Sequence, residues 1–173
     1  MSTSLIACLH AVYPELEIDI SKIKGYTGDE IQKIERLYDI KVVGQLRDFL
    51  SCMGRCSGGF FGDDLLMFYR EIKSVRSHVL SQLTLRDNLC SLQLWELVNK
   101  KPFLVSFENQ TQYYFLLTES DAPDLVYHYD ENEDTVEATH WTFYEHIKNL
   151  VDTDTRMHKK NMTPGYCGEL III

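Results

Sequence analysis

The first half of the chain spaces its apolar residues three or four positions apart, the spacing of helices that bury one face. One such helix is predicted over residues 4–13, where Pro14 ends it. A second helix is predicted to begin at Thr27, because Thr27 and Glu30 match a capping box, in which each side chain accepts a hydrogen bond from the other residue's backbone N–H. Its inward face is predicted from the apolar residues that follow: Ile31, Ile34 and either Leu37 or Tyr38.

Two more helices are predicted before residue 100. The third has a short apolar face formed by Leu46, Phe49, Leu50 and Met53. It ends at Gly54, and residues 57–59 continue as a loop or tight turn. The fourth is longer, with a predicted inward face of Ile72, Val75, Val79, Leu80 and Leu83.

After Pro102 the pattern changes to short aromatic and aliphatic runs that are typical of strands. Runs over 103–107 and 113–117 predict a hairpin, and the second run is apolar throughout, which places it centrally in the sheet. Strands over 125–129 and 135–139 follow. Thr142 and Glu145 then form a second capping box, which begins a closing helix with Phe143, Ile147, Leu150 and Val151 inward. This order predicts an α+β fold, an antiparallel meander packed with N-terminal helices and a closing C-terminal helix.

The length of 173 residues indicates one domain over 1–173, large enough to bury a core without disulfides or metal. Residues 1–10 do not match a signal peptide, and no apolar run reaches the roughly 18 residues of a membrane span. A cytoplasmic location without membrane contact is therefore expected. The five cysteines are odd in number and scattered, so we expect reduced thiols, most of them in the core.

The net charge of −9 comes from one stretch of the chain. Eight carboxylates and no Lys or Arg lie between residues 119 and 137: Glu119, Asp121, Asp124, Asp130, Glu131, Glu133, Asp134 and Glu137. Without them, 18 acidic residues face 17 basic ones. One interpretation is a pair of solvated loops that keep a sheet edge soluble. The other is a surface that binds a basic partner rather than nucleic acid, with Tyr127, Tyr129 and Trp141 as aromatic anchors.

Other candidate chemistry is weaker. Cys52 and Cys56 lack the second ligand pair of a structural zinc site, so core packing is favoured. The stretch from Asp130 to Asp134 resembles half a calcium loop, but the sixth and twelfth positions are not the required Gly and Glu. His128 or His140 paired with a thiol leaves a small hydrolase as an alternative. No metal and no cofactor are predicted.

The run from Tyr26 to Leu37, followed by Phe49-Leu50 and the glycines at 54, 58 and 59, resembles the opening of the SUKH superfamily. That family has a helix with a Glu placed like Glu35, then a second helix and a Gly-rich exit. The resemblance covers about 26–151, with an added helix over 4–13 and a tail over 152–173 whose last apolar residues either dock or stay loose. The chain departs from the family at 42–44, where a Pro is usual.

This resemblance implies an immunity protein that binds and neutralises a bacterial toxin domain, in some cases within a contact-dependent growth inhibition system. It carries over no catalytic residue, and the chain is expected not to be an enzyme. The expected partner is a basic toxin domain, a nuclease, held stoichiometrically by the acidic stretch. A regulatory interaction module with an endogenous partner is the alternative. Oligomeric state is left open.

Overall fold

Four antiparallel strands form one sheet, and their order in the sheet is their order in the chain. The computed structural model describes residues 2–61, 66–69, 74–158 and 167–171. The strands are β1 (Pro102–Glu108), β2 (Gln112–Leu117), β3 (Leu125–Asp130) and β4 (Thr135–Thr142). β2 pairs with both β1 and β3, and both Phe115 and Leu116 are fully buried on its opposite faces. The predicted meander and the central place of the second strand are confirmed.

Six α-helices surround the sheet in the described part of the chain. They are α1 (Ser2–Val12), α2 (Gly28–Tyr38), α3 (Gly44–Met53), α4 (Ser74–Ser91), α5 (Trp95–Asn99) and α6 (Phe143–His158). Both predicted capping boxes form: Thr27 N–H donates to Glu30 over 2.9 Å, and Thr142 N–H donates to Glu145 over 2.7 Å. The α+β prediction is therefore correct, and α6 continues past the expected limit at Val151 to His158.

Each face of the sheet contributes to a different apolar cluster. One cluster joins Phe103, Val105, Leu116 and Val126 of the sheet to the buried faces of α1, α2, α3 and α6. The other joins Leu104, Tyr113, Phe115, Leu117 and Tyr129 to α4 and to residues of α5. The alternation of side chains along each strand produces this division.

The inward face of α4 differs from the predicted one. Leu80 and Leu83 are exposed, whereas His78 and Gln82 are buried; Ile72 lies outside the described residues. The reason is that α4 crosses the outer edge of β1, where backbone groups need polar partners. Gln82 accepts from Leu104 N–H over 2.8 Å and donates to the Pro102 carbonyl, and His78 Nε2 lies 2.8 Å from the Leu104 carbonyl.

The C-terminal segment, residues 167–171, docks against α2, the residue Tyr26 that precedes it, and the loop after α3. Leu170 is fully buried; its N–H donates to the Tyr26 hydroxyl and its carbonyl accepts from the Tyr38 hydroxyl, each over 3.0 Å. Glu169 pairs with Arg55, whose guanidinium also contacts Glu30 and lies over the Tyr26 ring. Of the two expectations for the tail, docking applies to this segment, while residues 172–173 lie outside the described part.

Candidate functional site

The acidic stretch is divided between the two ends of the sheet. In an antiparallel meander successive connections alternate between ends, so the 118–124 loop lies opposite the 131–134 turn. The six residues of β3 separate them by about 17 Å. One surface, here called the acidic end, comprises Glu108, Asp130, Glu131, Glu133, Asp134 and Glu137. The remaining predicted residues, Glu119, Asp121 and Asp124, belong to the opposite end.

The acidic end gains Glu108 because the β1–β2 turn lies beside the β3–β4 turn. Glu131 N–H donates to the Thr111 carbonyl over 2.9 Å, and the Asn132 side chain donates to the Thr111 hydroxyl over 3.0 Å. Glu131, Glu133, Asp134 and Glu137 are exposed. The chain contains no Lys or Arg between Pro102 and Ile147, so no basic side chain of the sheet itself offsets these carboxylates.

Tyrosines beneath the acidic end hold two of its carboxylates. Tyr113 donates its hydroxyl to Glu131 and Tyr129 donates its hydroxyl to Asp134, each over 3.3 Å. The two rings are cross-strand neighbours with centroids 5.5 Å apart. Burial, and then the neighbouring carboxylates, raise the pKa of both tyrosines to about 12, so both remain donors at neutral pH. The positions of Glu131 and Asp134 are thus set from within the fold.

Asp130 has a local structural role. Its Oδ1 accepts from Asn132 N–H over 2.8 Å, the turn-forming bond that aspartate makes two residues ahead. Hydrogen bonds from the Gln112 side chain and from the turn's backbone N–H groups lower the pKa of this carboxyl below its usual range. Asp130 therefore shapes the turn that presents Glu131 and Glu133.

At the opposite end, Asp124 serves the fold. Its Oδ1 accepts from Gln45 N–H over 2.8 Å and so caps the first turn of α3, whose own N-cap residue, Val43, supplies no side-chain bond. Gly44 makes this approach possible: its φ is +55°, and a Cβ there would lie 2.3 Å from Asp124 Oδ1. The Asp124 carbonyl also accepts from Phe143 N–H, at the start of α6. Asp124 is thus a junction between three elements rather than an available docking group.

Backbone bonds to two lysines hold the start of the loop that carries the remaining acidic residues of the opposite end. Glu119 N–H donates to the Lys100 carbonyl and Thr118 N–H to the Lys101 carbonyl. Lys41 donates its backbone N–H to the Thr118 hydroxyl, and it lines the same small cavity as Glu119. Glu119 and Asp121 are both exposed, and Glu119 shares its cavity with a lysine.

The predicted aromatic anchors differ in availability. Tyr129 is only 2% exposed, so the fold itself covers its ring and leaves little of it for a partner. Tyr127 is half-buried against Phe115. Trp141 is 39% exposed, but it lies at the end of β4 away from the acidic turn and stacks on His146.

A groove along β4 contains the two histidines considered from sequence. Tyr114, His128, Glu137, His140 and Trp141 line it. His128 lies between two acceptors: its Nε2 is 2.5 Å from Gln112 Oε1 and its Nδ1 is 3.6 Å from Glu137. The contacts of His128 are with Gln112, Glu137 and the ring of Tyr114, and none of these three is a thiol.

The histidine that sequence reasoning missed is His146. Its Nε2 lies 2.8 Å from Ser106 Oγ, a separation that would suit a nucleophile and base. Both residues are buried, which leaves no path for a substrate, and burial lowers the pKa of His146 to about 4. Its Nδ1 has no hydrogen-bond partner among the described residues. The helical spacing could have predicted its burial, because His146 follows Phe143 by three positions and so lies on the apolar face of α6.

The structure bears on the metal and membrane predictions only through the residues that it describes. Within residues 2–61, 66–69, 74–158 and 167–171, no three His, Cys, Asp or Glu side chains are grouped to hold a metal ion. Cys52 and Cys56 are both buried, as predicted for core thiols. In the same ranges, no helix has the length and apolar character to cross a bilayer.

Comparison with protein-family models, curated proteins and solved structures finds no match for this chain. The SUKH resemblance therefore stays a prediction. The observed Glu35 does have a defined place in the fold, since its Oε1 accepts from Val42 N–H over 2.8 Å and fixes the α2–α3 connection.

Proposed function

We propose that this chain is an immunity protein that binds a basic toxin domain, a nuclease, and neutralises it stoichiometrically in the cytoplasm through the acidic end. The observation that carries the proposal is the convergence of six carboxylates on one end of a sheet that lacks Lys and Arg. Enzymes that cut nucleic acid need a basic cleft. The negative electrostatic field of the acidic end would accelerate association with such a cleft.

The fixed geometry of the acidic end supports binding over a purely solubilising role. A solvated loop needs charge alone, whereas Glu131 and Asp134 are each held by a buried tyrosine. Groups ordered before binding lose less side-chain entropy when a partner arrives. The alternative of an endogenous regulatory partner uses the same surface and differs in the partner's identity.

The first test is co-purification with the product of a neighbouring reading frame that encodes a toxic C-terminal domain. A nuclease assay with that domain should lose activity as this chain is added, with an end point at one chain per toxin. A partner without toxic activity would favour the regulatory alternative, and titration without inhibition would contradict neutralisation.

The second test compares two matched double variants. Glu133→Lys with Glu137→Lys changes the charge of the acidic end by the same amount as Glu119→Lys with Asp121→Lys changes the opposite end, and all four residues are exposed. At low salt we expect the first variant to associate with the toxin domain about tenfold more slowly and the second less than about twofold. Equal effects of the two variants would refute binding at the acidic end.

A further inference from the structure

Cys56 and Cys167 face each other where the C-terminal segment joins the body. Their backbones form an antiparallel bridge, and Gly168 N–H donates to the Arg55 carbonyl over 2.8 Å. Because this bond flanks the two cysteines instead of joining them, they occupy the non-hydrogen-bonded kind of pair, in which Cα atoms are about 4.5 Å apart. That separation lies within the range of about 4.4–6.8 Å that a disulfide needs.

The side chains also meet. The Cys167 thiol is hydrogen-bonded to Cys56, and the two differ in access: Cys56 is fully buried and Cys167 is exposed. Both are reduced. An exposed thiol with a buried neighbour is the arrangement in which one sulfur meets a reagent from solvent and the other resolves the product.

We infer that Cys56 and Cys167 form a reversible disulfide that fastens the C-terminal segment to the body, with a small-molecule disulfide such as glutathione disulfide as the oxidant. The Cys167 thiolate attacks one sulfur of the oxidant, which forms a mixed disulfide and releases one thiol. Cys56 then loses its proton and attacks the Cys167 sulfur, which releases the second thiol. Two protein thiols are oxidised and one small-molecule disulfide is reduced.

The bond would act on contacts that already hold the segment. Leu170 is buried between Tyr26 and Tyr38, and Glu169 pairs with Arg55. In the reduced protein, noncovalent contacts such as these hold residues 167–171 in place. In the oxidised protein the segment is bonded covalently to Cys56, three residues beyond the end of α3, so it cannot be released from the body.

The rate of this reaction should depend steeply on pH. Although the residue is exposed, partial desolvation of its sulfur, and then the neighbouring Cys56, raise the pKa of the Cys167 thiol to about 11. Since the thiolate is the nucleophile, its fraction rises about tenfold for each unit of pH below that value. We therefore expect oxidation to be slow near neutral pH, so that the disulfide forms only under sustained oxidising conditions.

The experiment treats the reduced full chain with defined ratios of reduced to oxidised glutathione and follows intact mass and thermal unfolding. The expected product loses the mass of two hydrogens, yields a proteolytic peptide pair that links Cys56 to Cys167, and melts about 5–15 °C higher. A reducing agent should reverse all three changes. Cys167→Ser should abolish them, while the matched variant Cys90→Ser should keep them.

Three results would overturn the inference. The first is Cys167 that stops at the mixed disulfide with glutathione, without resolution by Cys56. The second is a linked peptide that pairs either residue with Cys8, Cys52 or Cys90. The third is an oxidised chain whose melting temperature equals that of the reduced one. Cys56→Ala keeps the exposed thiol and should stop at the mixed disulfide with glutathione. Cys167→Ser lacks that thiol and should not react at this site, so the two variants distinguish the roles of the two cysteines.

Discussion

The acidic end and the opposite end of the sheet take their carboxylates from the same stretch of chain and use them differently. At the opposite end, Asp124 accepts a hydrogen bond from the backbone N–H of Gln45, and Glu119 lines a small cavity together with Lys41. At the acidic end, four of the six carboxylates are exposed, and tyrosine hydroxyls bond two of these four. Whether a run of acidic residues forms one surface therefore depends on the topology of the strands that carry it.

The supporting tyrosines explain how the acidic end combines charge with order. Phe107, Tyr113 and Tyr129 are successive cross-strand neighbours, so their rings form a ladder under the two turns. The apolar parts of the rings are buried in the second cluster, and the hydroxyls reach its rim. Packing of the core thus fixes the direction of surface charge.

The buried His146 makes the stability of the fold depend on pH. Burial lowers its pKa from 6.5 to about 4, so between these two pH values His146 is protonated in the unfolded chain and neutral in the folded chain. Its contribution to stability is therefore complete above pH 6.5 and is lost as the pH falls towards 4. Between pH 7.5 and 5 we expect a loss of about 2 kcal/mol in the free energy of unfolding.

Urea unfolding of wild type and His146→Gln at the two pH values measures this loss. The variant retains a polar group near Ser106 but does not titrate, so its stability should change about 2 kcal/mol less than that of the wild type. His140→Gln, at an exposed position, is the control and should follow the wild type. A His146→Gln profile that parallels the wild type would show that His146 is accessible to protons in the fold.

The sequence predicts much of the fold because its signals are local. Capping boxes at Thr27 and Thr142 mark helix starts from four residues each, and the aromatic runs after Pro102 mark strands. The inward place of Gln82 has no such signal, because it depends on β1 being an edge strand that needs partners. The division of the acidic stretch was implied by the predicted meander itself, since its connections must alternate between ends.

The structural role of Asp124 gives the next largest effect. Asp124→Ala removes the cap of α3 and should lower the free energy of unfolding by about 1–2 kcal/mol. Asp124→Asn keeps an acceptor for the Gln45 N–H, so it should lower the free energy of unfolding by only a few tenths of a kcal/mol. Both variants remove the same charge. Denaturant titrations of the pair, with Glu133→Ala as the acidic-end control, measure this difference. Equal losses for Ala and Asn would mean that the charge matters and the cap does not.

The smallest effect tests whether the acidic end is as ordered as the tyrosines suggest. Its β1–β2 turn has Asn109 at φ +50° and Gln110 at φ +64°, the signs of a type I′ turn, in which glycine is favoured. Gln110→Gly should therefore raise the free energy of unfolding by about 0.5–1 kcal/mol, because a non-glycine residue is strained there. Asn109→Gly should gain less, since asparagine tolerates this conformation. Denaturant titration of both variants at unchanged net charge gives the comparison, and a Gln110→Gly chain less stable than wild type would mean that this turn adopts another backbone in solution.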